Sequence, residues 1–159
     1  MSVAFTREED SEAAAADLPD RPISSHPNLV TPQGLAQLEA GLAQARAAYS
    51  AAQAEGGVST DRTAMARATR DLRYFGARRA SAQLIEKPKT LDRVAFGCTV
   101  TFQREDGRTQ SFRIVGEDEA DPAAGSVSHV SPLAQAVLGK EIGDTVMVAG
   151  RSVEITDVE

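Results

Sequence analysis

The sequence predicts an α+β protein: an N-terminal antiparallel α-helical coiled-coil hairpin, followed by a small antiparallel β domain with one short helix. Three observations carry this expectation. Residues 31–87 hold two apolar stripes at helical spacing, broken once by a glycine-rich turn. From Leu91 onward the period changes from helical to alternating. Pro19, Pro22 and Pro27 prevent a helix from joining the charged leader to the hairpin. The expected division is an acidic, proline-containing flexible tail at 1–30, the hairpin at 31–88 and the β domain at 89–159.

Thr31-Pro32 opens the first helix with a hydroxyl N-cap and a proline where no N–H is needed. Leu35, Leu38, Leu42, Ala45, Tyr49 and Ala52 then come in steps of three and four, the seam of a coiled coil. Glu55-Gly56-Gly57-Val58-Ser59-Thr60 supplies the turn. Met65, Ala68, Leu72 and Phe75 repeat the spacing in a second helix that ends near Lys87-Pro88. Strands are expected at 97–103, 109–116 and 125–130, the first two joined at Asp106-Gly107. Ser131-Pro132 caps a short helix over 133–138 that Gly139 terminates. A closing hairpin over 144–149 and 152–158 turns at Gly150-Arg151.

The totals narrow the function. Of 159 residues 42% are hydrophobic but only 4% aromatic, with no Trp, so the core is modest and aliphatic. A net charge of −6 argues against indiscriminate nucleic-acid binding by the whole chain. The single cysteine, Cys98, excludes an intramolecular disulfide framework and a multi-cysteine zinc site; it reads as a small buried hydrophobe. No apolar run approaches the roughly 20 residues of a membrane span, and no signal core is evident. A soluble, cytoplasmic monomer without membrane contact is expected.

Against that acidic background, Arg62, Arg67, Arg70, Arg73 and Arg78 concentrate on the second helix. They are either a solvated face with support such as Arg67 to Asp71, or a stripe that tracks a phosphate backbone or an acidic surface. The acidic tail could fold across them. Dinucleotide, P-loop, zincin and nucleophile-elbow motifs are absent, and His26 and His129 form no relay. Glu55 and Asp61 flank the turn and could help hold a divalent metal; Asp61 equally complements the dipole of the second helix.

Several stretches together resemble the Gre family of bacterial transcript-cleavage factors. Phe96-Gly97-Cys98-Thr99-Val100 is similar to the strand that opens the family's C-terminal domain. Phe112-Arg113-Ile114-Val115-Gly116-Glu117-Asp118-Glu119 looks like its F-R-I-V-G-x-D-E signature, and Ser131-Pro132-Leu133-Ala134 with Leu138-Gly139-Lys140 resembles its S-P-[ILM]-A and L-[IL]-G-K stretch. Leu29-Val30-Thr31-Pro32-Gln33-Gly34 resembles the family's helical start. The resemblance covers about residues 28–159.

It implies an FKBP-like C-terminal domain that docks on the rim of the RNA polymerase secondary channel through His129, Ser131 and Pro132. It implies a helical arm entering that channel, with Arg62, Arg67, Arg70, Arg73 and Arg78 toward the nascent RNA. Acids at the family's tip help hold a Mg²⁺ jointly with the polymerase, which itself cleaves the transcript; the factor is not an enzyme and has no cofactor of its own. Here the tip departs. The family's G-D-x-x-E-N stands as Gly57-Val58-Ser59-Thr60-Asp61-Arg62, and both helices look about one heptad short, roughly 10 Å of reach. The leading expectation is a channel-binding elongation regulator without standard cleavage stimulation. The alternatives are a cleavage factor using Asp61 with Glu55, and a free-standing prolyl isomerase or chaperone, for which Phe96, Phe102 and Phe112 are the available aromatics.

Overall fold

The computed structural model describes residues 18–55 and 62–159, which fall into two compact units. One unit runs to Ser25 and takes in Leu38–Ser81; the other comprises His26–Gln37 and Ala82–Glu159. Two of these boundaries fall within the expected hairpin segment. The first turn of the leading helix and the residues after Ser81 thus group with the β domain.

The helical unit is built from α1 (Pro32–Ala54) and α2 (Arg62–Ser81). Leu38, Ala45 and Ala52 are buried at intervals of seven, which keeps them on one side of α1. Ala68 is buried on α2. Two contacts set the sense of the pair. Glu39 pairs with Arg79 at 3.0 Å, and the Phe75 ring lies where a Cβ on Gly41 would stand 2.6 Å from it. Higher numbers on α1 meet lower numbers on α2, so these helices run antiparallel.

The second helix ends at Ser81, six residues before the expected stop near Lys87. The backbone N–H groups of Gln83 and Ile85 donate to the carbonyls of Asn28 and Val30 at 2.8 and 2.9 Å, and so leave the helical ladder. This pairs β1 (Leu29–Val30) with β2 (Gln83–Leu84) in parallel. Of the expected tail, residues 1–17 lie outside the described residues, whereas 18–30 make defined contacts that include β1 and an ion pair at Asp20.

The second unit is organised by a five-stranded sheet whose strands lie in the spatial order β5 (Ser126–Ser128), β4 (Thr109–Val115), β3 (Thr99–Arg104), β7 (Arg151–Val158) and β6 (Thr145–Val148). Strands β3 (Thr99–Arg104) and β4 (Thr109–Val115) are antiparallel across the Asp106-Gly107 turn, where Gly107 takes a φ of +85° that a side chain would resist. The sheet is mixed, not purely antiparallel. The link after β4 contains a 3-10 turn at Pro122–Ala124 and carries β5 (Ser126–Ser128) back parallel to β4. Helix α3 (Pro132–Val137) comes next, and β6 (Thr145–Val148) with β7 (Arg151–Val158) close the chain as an antiparallel hairpin. Val100, Phe102, Ile114, Val153 and Ile155 alternate inward to form the core, and Cys98 is fully buried among them.

Candidate functional site

The basic face belongs to the helical unit. Arg62, Arg67 and Arg73 are exposed on α2, and Arg70 is half-buried with its Nε 3.7 Å from Asp71. Arg78 differs from the other four. It lies three residues after Phe75, on the inward side of the helix, and is only 2% exposed. Its aliphatic stem can cover apolar surface there, but the residue presents little charge to a partner. Arg62, Arg70 and Arg73 instead line an open groove of about 330 Å³ with Met65, Leu18 and Asp20. Asp20 reaches Arg73 at 3.1 Å. Next to it, the Arg21 guanidinium stands 3.8 Å from the centre of the Tyr74 ring and 3.3 Å from an oxygen of Asp71.

A second site lies in the other unit, where β5 turns into α3. Ser131 has an extended backbone (φ −64°, ψ 152°), and its Oγ accepts the N–H of Ala134 at 3.2 Å. Pro132 takes the first helical position and is exposed. His129 is buried to 7% exposure and packs edge to face on Phe96, ring centres 5.6 Å apart. Its carbonyl accepts the side-chain amide of Gln135 at 2.7 Å. Of the three residues expected to dock, Pro132 is thus exposed, Ser131 caps α3 and His129 is buried rather than presented at the surface. Gln135 was not among the expected residues. Its clamp spans six residues and becomes visible only once the helix is in place.

The base of α1 carries a network that sequence reasoning found in part. Thr31 Oγ1 accepts the N–H of Gly34 at 3.0 Å, the expected cap, and donates to Glu119 Oε2 at 2.5 Å. Glu119, in the loop after β4, is thereby joined to the helix start 88 residues away. Arg113 on β4 donates to Gln33 at 3.2 Å in the same place.

The expected pairing of the tip acids falls partly outside the described residues. Glu55 is exposed at the end of α1, and Asp61 lies outside the described residues. Among the described residues no three His, Cys, Asp or Glu side chains cluster to hold a metal. Phe96 and Phe102 belong to the core, and the Phe102 and Phe112 rings stack with centres 6.2 Å apart. No helix of the described residues is long and apolar enough to cross a membrane.

The structure thus presents a capped turn with an exposed proline at α3 and, on α2, a helix that carries exposed arginines. Residues 87–159 match the family model described as transcription elongation factor GreA/GreB, C-terminal, and this part of the chain is a domain of that family. Transcription elongation factor GreA of Desulfovibrio desulfuricans is 38% identical over 112 residues, 69% of this chain and 64% of that relative. GreA of Phenylobacterium zucineum is 45% identical over 86 residues, covering 50% of this chain and 55% of the relative. The chain thus matches less than two thirds of the length of these relatives. Among solved structures, GreA factor homolog 1 of Thermus thermophilus aligns over 84% of this chain and 99% of its own, with 17% identity and a TM-score of 0.41. GreA/GreB of Nitrosomonas europaea aligns over 84% and 98%, with 18% identity and a TM-score of 0.40.

Proposed function

We propose that this protein is a Gre-like elongation regulator that binds bacterial RNA polymerase at the secondary channel and does not stimulate transcript cleavage by the standard route. The observation that carries this reading is Val58 at the first acidic position of the tip, in a chain whose residues 87–159 match the GreA/GreB C-terminal domain. Losing that position removes a charge and a ligand, and a valine cannot substitute for either. The C-terminal domain, of FKBP-like type in this reading, docks through Pro132 and the turn that Ser131 caps. The two helices act as a coiled-coil arm. The 23 residues of α1 span roughly 35 Å, and the exposed arginines of α2, Arg62, Arg67 and Arg73, face the transcript. Occupying the channel entrance excludes longer-armed factors and alters backtracking by occlusion. The protein acts as a cytoplasmic monomer and is not an enzyme; any chemistry belongs to the polymerase and its Mg²⁺.

The test uses purified bacterial RNA polymerase stalled on a backtracked transcript with Mg²⁺. The protein is titrated alone and in competition with an active Gre cleavage factor. Saturable binding with loss of factor-stimulated cleavage, and no cleavage of its own, is expected. Cleavage that Asp61→Ala abolishes would make it a working short-armed factor. Absence of binding would remove the docking assignment altogether.

A further inference from the structure

Residues 18–21 touch the arginine face of α2 in two unequal ways. Arg21 is held firmly: its guanidinium covers Tyr74 at 3.8 Å, approaches Phe75 at 5.2 Å and pairs with Asp71 at 3.3 Å. Stacking on aromatic faces while ion-paired is a favourable environment for an arginine. Asp20 is held loosely. Its ion pair with Arg73 is 67% and 63% exposed on the two sides, the kind that contributes little by itself. Anchoring one residue keeps its neighbour at high effective concentration over Arg73. Among the described residues, Asp20 is also the one acid lining the groove that Arg62, Arg70 and Arg73 share.

We propose that this segment is an electrostatic latch, with Arg21 as its hinge pin and Asp20 as its bolt, which closes the arginine face to phosphate-bearing chains until they displace Asp20. The proposal rests on the reading of that face as the surface that meets RNA, and it adds a regulation to it. A carboxylate on an exposed pair can be displaced by phosphates, which bind arginine bidentately and release counterions as they do so. The groove floor at Leu18 and Met65 then offers an apolar surface beside the freed charges.

The experiment measures binding of a fluorescein-labelled single-stranded RNA 12-mer to the full chain by anisotropy at several salt concentrations. Asp20→Ala is expected to bind about 2- to 5-fold more tightly than wild type. Its log–log salt dependence should steepen by about 0.7, one further phosphate contact. Asp157→Ala removes the same charge from an exposed site in the other unit and controls for net charge. Arg21→Ala discriminates most sharply, because it removes a cation. A field effect alone weakens binding, whereas loss of the hinge pin tightens it.

The latch is refuted if Asp20→Ala binds no better than Asp157→Ala, or if Arg21→Ala binds more weakly than wild type. The double variant Arg70→Ala/Arg73→Ala separates this failure from the other. If it binds RNA like wild type, the arginine face itself is misassigned and the latch falls with it. If it loses binding while Asp20→Ala changes nothing, only the latch is lost.

Discussion

Gly116 follows β4 directly in the F-R-I-V-G stretch, and the reason a glycine stands there can be tested. A Cβ built on it would run into the carbonyl oxygen of Leu29 and approach the Leu29 carbonyl carbon at 3.5 Å and Val30 Cα at 3.7 Å. The obstacle is backbone, so no rotamer relieves it. Leu29 is moreover held by its pairing with Gln83. Gly116→Ala must therefore shift β1, at a cost of about 2–3 kcal/mol for overpacking. Reduced freedom of the unfolded chain offsets about 0.4–1 kcal/mol of that. A net loss near 2 kcal/mol in a unit of about 90 residues lowers its Tm by about 10 °C. Thermal unfolding monitored by far-UV circular dichroism reads the loss, and hydrogen exchange at Gln83 and Ile85 localises it. Gly76→Ala is the matched control. It lies in α2 with nothing within 4 Å of the added methyl, and should stabilise by up to about 1 kcal/mol. A Gly116→Ala loss below about 0.5 kcal/mol, the range of an ordinary surface change, with protection at Gln83 and Ile85 intact, would refute the close-approach argument.

Two further predictions concern the β unit. Ser131→Asp keeps an oxygen to cap Ala134 but places a charge beside Pro132, so polymerase affinity should fall while the melting curve stays in place; Pro132→Ala should behave alike. Ser131→Ala should instead cost about 1 kcal/mol of stability through the lost cap, and unchanged polymerase affinity in both Ser131→Asp and Pro132→Ala would move the docking surface elsewhere. At the β3–β4 turn, the Arg108 side chain and backbone N–H hold the Asp106 carboxyl below its usual range. The unfolded chain then binds the proton first as pH falls, so this contribution is complete above the ordinary carboxylate value and is lost as pH drops through the lowered one. Asp106→Asn preserves the turn, and its stability difference from wild type should be present at neutral pH and vanish in that acidic window.

Much of the architecture was legible because it is local. The recurrence from Leu38 to Ala52, the Asp106-Gly107 turn and the Ser131-Pro132 cap each state their geometry within a few residues. The unread parts depend on partners distant in sequence. Two-residue strands such as β1 and β2 have no period, so the early end of α2 at Ser81 could not be inferred from residues that remain good helix formers. The parallel pairing of β5 depends on how the 3-10 turn redirects the chain, which composition does not encode. Arg78 looks like its exposed neighbours in sequence; only the placement of Phe75 reveals that it points inward. Of the latch, the sequence offered acidity near the N-terminus but nothing to match Arg21 with Tyr74.

The short ladder between β1 and β2 dictates an order of folding. About fifty residues separate its two strands, and closing so long a flexible loop costs about 3–4 kcal/mol of chain entropy. Two paired residues cannot offset that alone. The ladder becomes favourable only after the intervening helices have formed and brought Val30 and Gln83 near each other. It should then be among the last contacts made and the first released. The amides of Gln83 and Ile85, bonded to Asn28 and Val30, therefore report the release of this ladder itself, an opening that precedes and does not require that of the helices between its strands.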